Sequence, residues 1–329
     1  MGSRRGFWVA ALVAVMVATM SWWPISAARA EPVCGGAVTM RPVTFPVDGE
    51  FGTGRVYEPA ACAGGEPRAL ILAVHGNGET ASEAPDLMEG LARRTGAPVL
   101  TLDTRGGESV WKAGEFNLTA GAHDVIAAAR WYRAEHPAIG RTVLWGWSQG
   151  GAVTGLALAQ APAGLFDYWV DNYGPSDLRA LWSRANLLGL PVRAQLERDA
   201  GGCAPAVCPQ PYLDRSLVTL APTLEARHIV LVHGLYDFLI PYQASVDLRD
   251  ALIAAGKPVS FYTVVTGREN HGIVLPGMHG IGPAWFQGMC AVERLLAGTE
   301  PLGGPVLEYR TDVLAGVDTA PAPSSACAV

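Results

Sequence analysis

Short apolar runs alternate along this chain with amphipathic stretches, and that alternation sets the architecture. Residues 69–74, 98–102, 142–147, 168–172, 229–233 and 259–265 are brief, largely apolar segments bounded by glycine, proline or charge. Strands of a parallel sheet, buried on both faces, read this way. Between them, residues 86–94, 120–136, 149–160, 243–255 and 284–296 have helical spacing, and Pro137 and Gly140 stop the longest of these. Strands alternating with helices predict an α/β fold: a mostly parallel, twisted sheet with helices on both faces and right-handed crossovers. A short strand pair over residues 40–46 and 54–58 precedes the alternation. Residues 176–224 are less regular and are expected to form a small insertion, after the sixth strand, over one edge of the sheet. The segment from residue 311 to 329, rich in Ala, Pro and Ser, reads as a loose tail. Residues 31–310 are expected to form one domain, and no internal repeat is present.

The first 30 residues break the pattern. Arg4 and Arg5 precede an uncharged apolar stretch over residues 7–23, and Ala28-Arg29-Ala30 forms an A-x-A site before Glu31. This is the arrangement of a cleaved export signal. Ser3-Arg4-Arg5-Gly6-Phe7 also resembles a twin-arginine motif, so the export route stays open. The leader holds three arginines and no acid, and its removal takes the formal charge from −6 to −9. A net negative surface argues against nucleic acid and against anionic membranes as partners. Six cysteines remain, an even number that in an exported chain suggests disulfides. Proximity proposes Cys34–Cys62, Cys203–Cys208 and Cys290–Cys327 among the fifteen pairings that six cysteines allow.

Candidate chemistry sits at the strand ends. Gly146-Trp147-Ser148-Gln149-Gly150 fits G-x-S-x-G, with an apolar strand before it and a small-residue helix after it. That context makes the motif a nucleophile elbow, in which a sharp turn exposes the Ser148 hydroxyl. A serine hydroxyl needs an adjacent base, and the base needs an acid to orient it. In such sheets the order is serine, acid, histidine. Asp237 follows the strand at 229–233 and His271 follows the strand at 259–265, so both fall at the same sheet edge as Ser148. Asp171 is a rival acid and His279 a rival base. The developing oxyanion needs two N–H donors. Gln149, after the nucleophile, should give one, and Asn77 in His75-Gly76-Asn77-Gly78 the other, with Gly78 as the second choice. Trp147 and Trp111 are candidates to line an acyl or aromatic pocket, with core packing the competing role. No metal or other cofactor is called for.

With these residues in place, the chain resembles the α/β-hydrolase superfamily from about residue 40 to 296. It is most similar to prolyl-oligopeptidase-like catalytic domains and related secreted esterases. The resembling pieces are residues 172–178, residues 212–216, and His233-Gly234-Leu235-Tyr236-Asp237 followed by Ile240-Pro241. The resemblance implies Ser148, Asp237 and His271 as nucleophile, acid and base. It departs from the peptidases in having Trp147 and Gln149 beside the serine and only about 40 residues between the leader and His75, too few for a propeller. The expected activity is therefore hydrolysis of a small or polymeric carboxylic ester by a secreted enzyme. A peptidase acting on short peptides, or a non-catalytic binding protein on the same scaffold, are the alternatives.

Overall fold

The computed structural model describes residues 36–60, 67–105, 116–185, 192–266 and 279–321. The expected leader, Cys34, Cys62, Trp111, His271 and Cys327 lie outside these residues.

Among the described residues ten strands form one sheet: β1 (Val38–Val47), β2 (Glu50–Pro59), β3 (Ala69–Val74), β4 (Val99–Asp103), β5 (Arg141–Trp147), β6 (Tyr168–Asn172), β7 (His228–Gly234), β8 (Val259–Thr266), β9 (Val306–Asp312) and β10 (Val317–Asp318). Their spatial order is β1-β2-β4-β3-β5-β6-β7-β8-β9-β10. The seven strands from β4 to β9 run parallel, and antiparallel strands flank them at both edges. This is the mostly parallel α/β sheet that the alternation predicts.

The layers follow from the period-two geometry of a strand. Along β3, Leu70, Leu72 and Val74 enter one apolar cluster, and Ala69, Ile71 and Ala73 enter a second on the opposite face. Helices α2 (Leu118–Glu135), α3 (Gln149–Gln160) and α8 (Tyr242–Ala254) cover the first face. Helices α1 (Pro85–Thr95) and α9 (Pro283–Ala297) cover the second. Every residue of β3 is buried, which is why the segment reads as an apolar run without alternation.

Among the described residues, four short α-helices and one 3-10 turn (Ala221–Thr223) lie between β6 and β7: α4 (Leu178–Arg184), α5 (Val192–Asp199), α6 (Gln210–Leu213) and α7 (Leu217–Leu220). Cys203 and Cys208 are disulfide-bonded here. The Tyr212 hydroxyl donates to the Cys203 carbonyl (2.8 Å), and Arg215 pairs with Asp199 inside the same unit. Cys290 is also disulfide-bonded.

The chain end differs from expectation. Instead of a loose tail from residue 311, β9 runs through Asp312 on the edge of β8, and β10 folds back on it. Tyr309 stacks on Tyr262, with ring centroids 4.7 Å apart. A half-buried strand covered only by the short β10 needs few apolar residues, so Glu308, Arg310 and Asp312 hid it in the sequence.

Candidate active site

Parallel strands deliver their carboxyl ends to one edge. Val74 pairs with Gly146, and Trp147 pairs with Asn172, so the loops after β3, β5 and β6 emerge side by side. Ser148 sits in the turn between β5 and α3, with φ 55° and ψ −125°. Such a conformation is strained for any residue carrying a Cβ. Surrounding structure enforces it. The Ser148 amide donates to the Asn172 carbonyl (2.9 Å). A Cβ on Gly146 would strike the Gly150 carbonyl, and one on Gly150 would strike the Val74 carbonyl. The two glycines of the motif are thus required by close backbone approach.

Ser148 Oγ lies 2.8 Å from Nε2 of His279, and Nδ1 of the same ring lies 2.7 Å from Asp237 Oδ2. A carboxylate can only accept, so Nδ1 donates to Asp237 and Nε2 is left to accept from the serine hydroxyl. Oδ1 of Asp237 accepts the amides of Leu239 (2.9 Å) and Ile240 (3.0 Å). Burial pushes the Asp237 carboxyl up, but hydrogen bonds from His233 and His279 outweigh it and hold the group down at about 2. His233 is itself fixed, bridging Ser245 Oγ and the Ile240 carbonyl. Asp237 is therefore ionised and held in place as an orienting acid must be.

The histidine is the correction to the sequence reading. The sequence favours His271 here, with His279 as its rival; His271 lies outside the described residues, and His279 occupies the place between Ser148 and Asp237. Contacts from another element hold it there. The Tyr173 ring packs against the His279 ring, with centroids 4.7 Å apart, and its hydroxyl donates to the Gly280 carbonyl (2.9 Å). Tyr173 adopts φ 46°, an unusual value for a bulky residue, to do this.

Asp171, the rival acid, does not face the histidine. It is fully buried beneath the elbow, where Oδ1 accepts the Gly174 amide (3.1 Å). Burial pushes its carboxyl up to about 7 against that single hydrogen bond. A raised carboxyl favours the fold while protonated, so its contribution is greatest below the ordinary aspartate value and is lost as pH rises through 7. Asp171→Asn is expected to remove this slope. Thermal unfolding at about pH 5 and pH 8 should show the variant gaining on the native protein at the higher pH.

A cavity of about 160 Å³ opens beside the serine. Asn77 and Gln149, the expected oxyanion donors, both line it, as does Trp147. Phe116, Leu181, Val192, Leu239 and Ile240 make much of its wall apolar, so α4 and α5 contribute to the site. Trp147 is also a core residue, packed against Trp145 and Trp285 with centroids 5.2 and 5.6 Å away. Its indole donates to Glu79 (2.7 Å), a carboxylate that the sequence reading missed. Glu79 follows the Asn-Gly turn by one residue, and an acid in so short a glycine-rich loop was the available signal. Among the described residues no group of three His, Cys, Asp or Glu could hold a metal ion, and no helix is long and apolar enough to cross a membrane.

Residues 91–280 match the model of the prolyl oligopeptidase family. Dipeptidyl peptidase 4 of Sus scrofa is 27% identical over 144 residues, which are 40% of this chain and 16% of that protein. Among solved structures, the acylaminoacyl peptidase of Pyrococcus horikoshii superposes with a TM-score of 0.60 at 18% identity, over 80% of this chain and 41% of its own. A puromycin-hydrolyzing peptidase of Mycobacterium tuberculosis gives 0.60 at 21% identity, over 83% and 41%. An esterase of Pyrobaculum calidifontis gives 0.55 at 17% identity, over 81% of this chain and 87% of its own. The chain thus spans about two fifths of these two peptidases.

Proposed function

Because this chain belongs to the prolyl oligopeptidase family of serine hydrolases, we propose that it hydrolyses carboxylic esters through an acyl-enzyme on Ser148, with His279 as base and Asp237 as orienting acid. The observation that carries the assignment is the unbroken chain of contacts from Ser148 Oγ through both ring nitrogens of His279 to Asp237. His279 Nε2 takes the serine proton as Oγ attacks the ester carbonyl. The carbonyl oxygen becomes an oxyanion, received by the backbone amides of Asn77 and Gln149. Collapse expels the alcohol, which leaves with the proton from Nε2. Water, deprotonated by the same nitrogen, then releases the acid and restores the serine.

The ester preference rests on the cavity. At about 160 Å³ and mostly apolar, it is comparable to an engineered cavity of about 150 Å³ that takes up benzene. A short or ring-sized acyl group fits such a space. The esterase of similar extent supports the same reading. The second reading, a peptidase acting on short peptides, is supported by the peptidases among the similar proteins. Nitrophenyl esters of short acyl groups and nitroanilides of Xaa-Pro peptides separate the two. Esters are expected to give the higher kcat/KM, and amide turnover matching or exceeding it would overturn the ester assignment.

We also read residues 1–30 as an export leader and the mature enzyme as secreted. A disulfide between Cys203 and Cys208 suits an oxidising compartment.

A further inference from the structure

We propose that Glu79 is a positioning residue whose carboxylate ties the oxyanion loop to the nucleophile elbow. One oxygen, Oε2, accepts both the Gly76 amide (2.7 Å) and the Trp147 indole N–H (2.7 Å). Gly76 immediately precedes Asn77, and Trp147 immediately precedes Ser148. A single atom therefore bridges the two segments that carry the proposed oxyanion amides. The bridge is compact: a Cβ placed on Gly76 would lie 3.2 Å from both Glu79 Oε2 and Ser148 Cβ.

The two ends of the bridge differ in rigidity. Trp147 is wedged against Trp145 and Trp285 and is buried, so its indole is a fixed point. The loop after β3 is the element that needs fixing, since Asn77 and Gly78 form its turn. Its two sides are secured separately. His75 Nδ1 donates to the Gly76 carbonyl (2.7 Å). On the far side the Ala81 amide donates to Asp103 (2.8 Å), and Thr101 donates to the Ala81 carbonyl (2.6 Å). Glu79 supplies the remaining tie, across the loop to the elbow. Hydrogen bonds to a carboxylate are roughly twice as strong as neutral ones. The tie also commits the Gly76 N–H; Asn77, the next residue, lines the cavity and is the loop's proposed donor to substrate.

An oxyanion donor acts in the transition state and not in the ground state, so misplacing one lowers kcat while leaving KM nearly unchanged. Losing a donor outright costs about 10²–10³ in kcat. Glu79→Ala is expected to lower kcat by about tenfold or more, up to that limit. In Glu79→Gln the amide oxygen can still accept both N–H groups, and it should recover most of the loss. Trp147→Phe removes one donor to the bridge and should show a partial loss of the same kind. Affinity for a boronic-acid transition-state analogue should fall in parallel with kcat/KM across the series, a change that a purely structural role would not produce.

The inference rests on the acyl-enzyme reading, and one control separates their failures. If Ser148→Ala keeps its activity, the hydrolase site itself is misassigned. If Ser148→Ala is inactive and Glu79→Ala matches the native kcat, only the role of Glu79 falls. The role also falls if Gln is as damaging as Ala, or if analogue affinity is unmoved. Should Glu79→Ala fail to fold, Glu79→Gln and Trp147→Phe carry the same comparison.

Discussion

Ser148→Ala is expected to lower kcat by about 10⁶ while the protein still folds. The loss is large because the proposed acyl-enzyme bond forms on Ser148 Oγ, the atom that faces His279. Residual turnover should still exceed the uncatalysed rate by about 10³–10⁴, through the oxyanion donors and the cavity alone. The substitution removes only Oγ. Alanine keeps the Cβ that already occupies the strained turn, and the Ser148 amide still meets the Asn172 carbonyl. Steady-state rates on a nitrophenyl ester, with thermal unfolding as the folding control, check both halves of the expectation.

The second large effect separates the two histidines. His279→Ala should cost nearly as much as Ser148→Ala, because the members of such a unit act together and their losses do not add. The double variant should then be no slower than the worse single one. His271→Ala should stay within a few-fold of the native rate, because the position between Ser148 and Asp237 is already filled. Asp237→Asn should cost about 10⁴, since an amide no longer dictates which ring nitrogen carries the proton. A His271→Ala variant as inactive as His279→Ala would contradict the geometry.

These two histidines also show where the sequence was legible and where it was not. The sheet was readable because strands buried on both faces leave unmistakable apolar runs, as in β3 and β7. The elbow was readable because its glycines answer to local backbone crowding, which a motif encodes directly. Asp237 was readable because it follows its strand closely. The base was not. Between the end of β8 and the start of α9 the chain offers both His271-Gly272 and His279-Gly280, and their spacing alone gives no measure of which one reaches the serine. What holds His279 there is Tyr173, a residue of another loop, which packs against its ring and donates to the Gly280 carbonyl. Glu79 escaped notice for the same reason. Its importance depends on where the Trp147 indole points, and that depends on packing against Trp145 and Trp285. Strand β9 was missed because a half-exposed strand carries too little apolar signal.

The central claim is that Ser148 is a nucleophile activated by His279. Covalent labelling with a fluorophosphonate, followed by peptide mass spectrometry, tests it most directly. The native protein should take up one adduct on the peptide containing Ser148, with Ser148→Ala unlabelled and His279→Ala labelled far more slowly. An unlabelled native protein, an adduct that survives in Ser148→Ala, or undiminished labelling of His279→Ala would contradict it.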